Sequence, residues 1–221
     1  MGDRHAGARL VARGVPLEEA RFAMVLVHGR GASAESILDL ADEFRQPDFA
    51  YLAPEAAGNS WYPCPFLAPI KQNEPWLSSA LGVLDNTVRR VMERIPAPRV
   101  VLLGFSQGAC LSLEFAVRHP RRFGGVVGLS GGLIGPDGTA RDYAGSMEGT
   151  PIFLGCSDVD FHIPRERVDE AAAVFRRLGA HVTARLYPGM GHTVNADEIT
   201  NVRGILSALR TAESGGAVDL C

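Results

Sequence analysis

The sequence predicts an α/β fold: a mostly parallel central sheet with helices on both faces. Three observations predict it. Short apolar runs rich in valine, leucine and isoleucine, such as those at 22–27 and 100–103, read as strands buried on both sides. Segments with apolar residues at helical spacing alternate with these runs along nearly the whole chain. The residues able to do chemistry follow the carboxyl ends of the runs, where open parallel sheets bind ligands.

In chain order, Leu10 to Ala12 reads as a short first strand and Phe22 to Val27 as a buried one, ending in His28-Gly29-Arg30-Gly31-Ala32. A helix capped by Ser33 follows, with Ile37, Leu40, Ala41 and Phe44 on one face. Phe49 to Leu52 is the next strand, closed by Pro54. Residues 55–75 break the rhythm. With Pro63, Pro65, Pro69 and Pro75 among Trp61, Tyr62 and Phe66, they are too apolar for a disordered linker and too rich in proline for a helix. They read as an ordered loop walling a pocket. A helix from Trp76 to Ile95 comes next, then the strand Val100 to Leu103.

A helix with Ala109, Leu113 and Ala116 at its spacing runs on to His119-Pro120, and Val126 to Leu129 is again a strand. Residues 135–149 are glycine-rich and polar, hence a surface loop. The strand Pro151 to Leu154, the helix Arg165 to Leu178, the strand Val182 to Leu186 and the helix Ala196 to Leu209 complete the alternation. The reading is one domain over 1–221, with a tail at 213–221 expected to fray.

Composition narrows the function classes. Apolar residues are 46% and charged residues 21%, ordinary for a globular chain, and a net charge of −3 argues against a nucleic-acid binder. No apolar run reaches the about 20 residues that span a membrane. Charges at Asp3, Arg4, Arg9 and Arg13 interrupt any apolar secretory segment, and Cys64, Cys110, Cys156 and Cys221 show neither a C-x-x-C pair nor zinc spacing. Cys110 and Cys156 read as small core residues, and a cytoplasmic setting is expected.

Between the strand at 100–103 and its helix stands Gly104-Phe105-Ser106-Gln107-Gly108. In a chain with 25 glycines the pattern G-x-S-x-G alone says little; on a strand-to-helix turn it marks Ser106 as a nucleophile lifted clear of the sheet. A serine hydroxyl needs a general base and a group to orient that base. His5 lies in the charged N-terminus, His119 ends the helix after the turn, and His181 precedes a strand. His28 reads as support for its glycine loop. His192, in a loop after the last strand, is placed as the base. For the acid, Asp158 and Asp160 both follow the strand at 151–154, and spacing alone leaves the choice open. Asp158, Asp160 and His162 also form a loose D-x-D-x-H; a metal reading is set aside because His192 already requires one aspartate. Oxyanion donors are expected from the N–H of Gln107 and from the loop after Val27, at Arg30.

Together these features resemble the carboxylesterase/phospholipase branch of the α/β-hydrolases, which includes the acyl-protein thioesterases and small bacterial esterases. The resemblance covers about Phe22 to Leu209. It rests on L-V-H-G-R-G-A at 26–32, Trp61-Tyr62, G-F-S-Q-G, the stretch 151–164 and Y-P-G-M-G-H at 187–192. It implies an α/β-hydrolase fold with a minimal cap. The family's D-x-x-[VI]-P maps onto Asp160-Phe161-His162-Ile163-Pro164, which implies Asp160 as the acid, and its second oxyanion donor falls on Arg30. Phe161 stands where the family usually has proline, and the proline-rich stretch at 63–75 is unlike the thioesterase members. The expected activity is therefore a serine carboxylesterase on small-to-medium esters through an acyl-enzyme, with Trp61, Tyr62, Phe66 and His162 lining the substrate site. Its alternatives are a lysophospholipase, an acyl-protein thioesterase and, remotely, a non-catalytic binding protein. No cofactor and no metal are expected. The expected partners are a small ester and, at most, a second copy of the chain as a homodimer.

Overall fold

The computed structural model describes residues 3–215, with side chains through residue 212. Its centre is a seven-stranded sheet of order β1-β3-β2-β4-β5-β6-β7. The strands are β1 (Leu10–Gly14), β2 (Phe22–Val27), β3 (Phe49–Pro54), β4 (Val100–Phe105), β5 (Gly125–Leu129), β6 (Pro151–Ser157) and β7 (His181–Tyr187). Only β1 is antiparallel, paired along β3; the other pairs are parallel, so the expected α/β fold holds.

All six residues of β2 are buried because helices cover both sides of it. Ala23, Val25 and Val27 point to one face, where α3 (Trp76–Met92), α4 (Gln107–Arg118) and α5 (Arg165–Arg177) pack. Phe22, Met24 and Leu26 point to the other, against α1 (Ala34–Ala41) and α6 (Ala196–Gly215). This period-2 division of an unbroken apolar run is what the buried-strand reading required.

Ser33 caps α1 as expected, in a reciprocal box with Ser36. The inward stripe of α1 is Ala34, Ile37, Leu38 and Ala41, with Leu40 half-buried against the same core. The last turn, Asp42–Phe44, tightens into a 3-10 turn that still buries Phe44. The proline-rich stretch is more regular than expected. It holds a 3-10 turn at Ala57–Asn59 and a single helical turn, α2 (Ile70–Asn73), directly after Pro69. At the C-terminus α6 continues through Gly215, past the expected start of the tail, and residues 216–221 lie outside the described residues.

The β4–α4 junction sets the geometry of the site. A Cβ on Gly104 would lie 2.2 Å from the Gly108 carbonyl oxygen, and one on Gly108 would lie 2.1 Å from the Val27 carbonyl oxygen. Both contacts are with backbone, which cannot move aside, so α4 approaches the sheet this closely only because both positions are glycine.

Candidate active site

Ser106 is the single residue between β4 and α4, and the turn forces it to φ 55° and ψ −120°. That conformation is costly for any residue with a Cβ. It is held by Ser106 N–H donating to Leu129 O at 2.9 Å and by Cys110 N–H donating to Ser106 O at 3.0 Å.

The Ser106 Oγ lies 2.8 Å from His192 Nε2, and His192 Nδ1 lies 2.7 Å from Asp160 Oδ2. The other Asp160 oxygen accepts the N–H groups of His162 at 2.8 Å and Ile163 at 3.1 Å. Burial alone would raise the Asp160 pKa. The hydrogen bond from His192 and the two backbone donors outweigh burial, and the carboxyl sits below its usual range. Beneath it, the Cys156 thiol lies 3.7 Å from Asp160 Oδ2; burial and the neighbouring carboxylate push that thiol to about 12, so it stays protonated.

Asp158 has a different place. Its Oδ1 accepts Gly189 N–H at 2.8 Å, and the adjacent Ser157 Oγ accepts Gly191 N–H at 3.2 Å. These two residues hold the β7–α6 loop that carries His192. The far end of that loop is closed by Asn195 and Glu198, each accepting the other's backbone N–H at 2.9 Å.

Glu198 is fully buried, and its Oε1 has no hydrogen-bond partner among the described residues. It packs so closely on β6 that a Cβ at Gly155 would lie 2.2 Å from that oxygen. Burial raises its pKa to about 7, against a lowering by the Asn195 N–H. Because the folded state holds this proton more tightly than the unfolded chain, the group weakens the fold as pH rises from about 4.5 to about 7. The loss is on the order of 3 kcal/mol. Glu198→Gln keeps an oxygen for Asn195 N–H and cannot ionise. Thermal unfolding between about pH 5 and pH 8 is expected to fall in the wild type and to be flatter in the variant; parallel curves would count against a buried titrating carboxyl.

Gln107 opens α4, so its N–H has no acceptor within the helix, and the Arg30 N–H likewise has none among the described residues. A cavity of about 500 Å³ leads from Ser106, Gly29, Arg30 and Gln107 between Tyr62, Pro63, Pro65 and Phe66. His162 lines it too, its ring edge-on to His192 with centroids 4.9 Å apart. Phe161, 79% exposed, lies against His162 at the rim.

Trp61, expected to line the substrate site, does not. Its ring is fully buried behind the wall, between His28 and His5, and its Nε1–H donates to His28 O at 2.9 Å. His28 supports its loop, with Nδ1 at 2.8 Å from Gly29 O and Nε2 accepting Ala56 N–H at 3.1 Å. His5, expected only within a charged terminus, is buried 3.0 Å from Trp61 O and accepts Ala57 N–H at 3.1 Å. Glu74 binds Ser78 at the start of α3 and is absent from the cavity lining. Cys110, read as a core residue, is buried and also lines the cavity. Among the described residues no group of His, Cys, Asp and Glu is arranged to hold a metal ion.

The sequence profile of the phospholipase/carboxylesterase family matches residues 15–210. Acyl-protein thioesterase 1 of Yarrowia lipolytica is 26% identical over 209 residues, covering 85% of this chain and 92% of that protein. A probable carboxylesterase SOBER1-like protein of Arabidopsis thaliana is 25% identical over 199 residues, 81% of this chain and 76% of its own. Among solved structures, a phospholipase/carboxylesterase from Dyadobacter fermentans superposes with a TM-score of 0.88 at 39% identity, covering 90% of this chain and 97% of that one.

Proposed function

The chain belongs to the phospholipase/carboxylesterase family, and from that premise we propose that it is a serine carboxylesterase acting on small-to-medium esters. The observation that carries the mechanism is the unbroken line Ser106 Oγ–His192 Nε2 and His192 Nδ1–Asp160 Oδ2, at 2.8 and 2.7 Å. His192 Nε2 takes the Ser106 proton as Oγ attacks the ester carbonyl carbon. Asp160, accepting from Nδ1–H, fixes the tautomer with Nε2 free and stabilises the imidazolium. The tetrahedral oxyanion receives the N–H groups of Arg30 and Gln107, the latter at the positive end of α4. As the intermediate collapses, the C–O bond to the leaving group breaks and His192 returns the proton to that oxygen. Water, deprotonated by His192, then attacks the acyl-enzyme, and the acid leaves as the Ser106 O–H bond re-forms.

The proline-rich wall at Pro63 and Pro65 supports the small-to-medium reading; the volume of about 500 Å³ is ordinary for a small-molecule site and does not itself select a chain length. Relatives named acyl-protein thioesterase support the alternative of an acylated protein as substrate, and the family's description as phospholipase/carboxylesterase that of a lysophospholipid; both would call for longer acyl chains. We place the enzyme in the cytoplasm. The free thiols at Cys64, Cys110 and Cys156 suit a reducing compartment, and no helix among the described residues is long and apolar enough to cross a membrane. Hydrolysis of p-nitrophenyl acetate, butyrate, octanoate and palmitate tests the reading. The highest kcat/KM is expected on acetate or butyrate. A preference for octanoate or palmitate would favour the long-acyl alternative, and no turnover of any of them by folded protein would count against an esterase.

A further inference from the structure

Arg30 entered the site through its backbone N–H alone, but its side chain turns the other way, along the rim. Nη1 donates to Ser60 Oγ at 3.1 Å and Pro63 O at 2.9 Å; Nη2 donates to Tyr62 O at 2.8 Å and Cys64 O at 3.0 Å. Gln107, the other oxyanion residue, reaches the same segment: its Nε2–H donates to Tyr62 O at 2.8 Å, and its Oε1 accepts Trp61 N–H at 2.9 Å. Among the described residues no carboxylate pairs with Arg30, which lies exposed at the rim; its ordered contacts are the Ser60 hydroxyl and the carbonyls of this segment.

The segment requires such donors. Pro63 and Pro65 have no N–H, so residues 60–66 cannot zip into a ladder of their own, and their carbonyls look elsewhere. At one end Phe66 is tied to the body of the protein. Its O accepts Gly135 N–H at 2.8 Å, and the Arg167 guanidinium lies 5.6 Å from its ring centre. The buried Asn73 also braces Cys64 and Pro65 from within the same proline-rich stretch. At the other end Trp61 is anchored by its own burial, by its Nε1–H donating to His28 O and by His5 at its carbonyl; beyond it, the ties of residues 62–64 to the sheet top are Arg30 and Gln107. A planar fork that holds several acceptors at once suits this task, and a lysine ammonium does not.

The geometry points to Arg30 as a specificity-determining residue: its guanidinium clamps the 60–64 backbone and so fixes the acyl wall made by Tyr62, Pro63, Pro65 and Phe66. Because the backbone of the same residue faces the oxyanion position, the length limit of the acyl pocket and the oxyanion geometry are set from one point of the chain. The inference rests on the esterase reading and deepens it. Positioning by Gln107 adds to the clamp but cannot replace it, since Gln107 holds only Trp61 and Tyr62.

The test is Arg30→Met, which keeps the backbone N–H and the stem while deleting the fork, with Arg30→Lys beside it. The ratio of kcat/KM on p-nitrophenyl octanoate to that on the acetate is expected to rise about tenfold in Arg30→Met, the scale by which a hydrophobic pocket discriminates chain length, with Arg30→Lys in between. A general loss of stability would lower both esters alike, so an unmoved ratio would overturn the assignment. Limited proteolysis reads the clamp without activity: faster cleavage within residues 60–68 in Arg30→Met supports it, and an unchanged rate overturns it. Should the wild type hydrolyse none of the esters, the esterase reading falls, while the cleavage rates still decide whether Arg30 holds the wall.

Discussion

Ser106→Ala is expected to lower kcat on p-nitrophenyl butyrate by about 10⁴- to 10⁶-fold with little change in KM. The hydroxyl is the proposed nucleophile, and nothing nearby can replace it: Cys110, one helical turn on, has its thiol pushed to about 12 by burial and stays protonated. The substitution also probes the strain of the turn. At φ 55° and ψ −120° any Cβ is costly, by about 1–3 kcal/mol, whereas glycine takes this conformation freely. Ser106→Gly is therefore expected to be as inactive as Ser106→Ala but to unfold at a higher temperature. Comparing the two variants removes the contribution of the lost His192 hydrogen bond, which both share. Equal melting temperatures would mean that the strain relieved does not exceed the extra conformational entropy glycine loses on folding, about 0.5–1 kcal/mol, and residual activity within about tenfold of wild type would exclude Ser106 as the nucleophile.

The parts of this architecture that follow from periodicity were legible in the chain. Phe22–Val27 and Val100–Phe105 are buried on both faces, and a run without polar residues is the only sequence that fits such a place. Ser106 was legible because two glycines flanking a serine between a strand and a helix leave few other conformations. The choice between Asp158 and Asp160 was not legible from spacing. It depends on how the loop after β6 folds back, with the Asp160 carboxylate capturing the N–H groups of the next residues and Asp158 turned toward Gly189. Trp61 was misplaced for a related reason. An aromatic residue in a proline-rich loop suits a pocket wall or a buried wedge equally well, and its indole N–H went to the His28 carbonyl at long range. His5 was passed over because its neighbours are charged, yet its burial comes from packing between Trp61 and Trp76 far along the chain. The clamp by Arg30 did leave a signal. Two prolines among apolar residues strip a segment of donors and leave carbonyls that some outside group must satisfy.

Asp160→Asn carries the second-largest expected effect, a fall in kcat of about 10⁴-fold. The backbone N–H groups of His162 and Ile163 need an oxygen at the Oδ1 position, so the new amide nitrogen must take the place of Oδ2, facing His192 Nδ1 at the 2.7 Å contact. It is a donor only. His192 Nδ1 then becomes the acceptor, the ring proton moves to Nε2, and the proposed base presents a hydrogen to Ser106 instead of a lone pair. Proton-nitrogen correlation spectra of the His192 ring check this directly, with the protonated nitrogen expected to switch from Nδ1 to Nε2. The same substitution removes a carboxyl whose folded pKa lies below its unfolded value. Such a group stabilises the fold above its unfolded pKa, about 3.9, and that stability is lost as pH falls through the folded value. The variant is therefore expected to lose less stability than the wild type over that acid range. Asp158→Asn is the control. Its amide oxygen still accepts Gly189 N–H, so kcat should stay within about twofold of wild type. The reverse ranking of the two aspartates would assign the acid to Asp158, and equal losses would mean that orientation of the whole His192 loop, rather than of its ring, is what each carboxylate supplies.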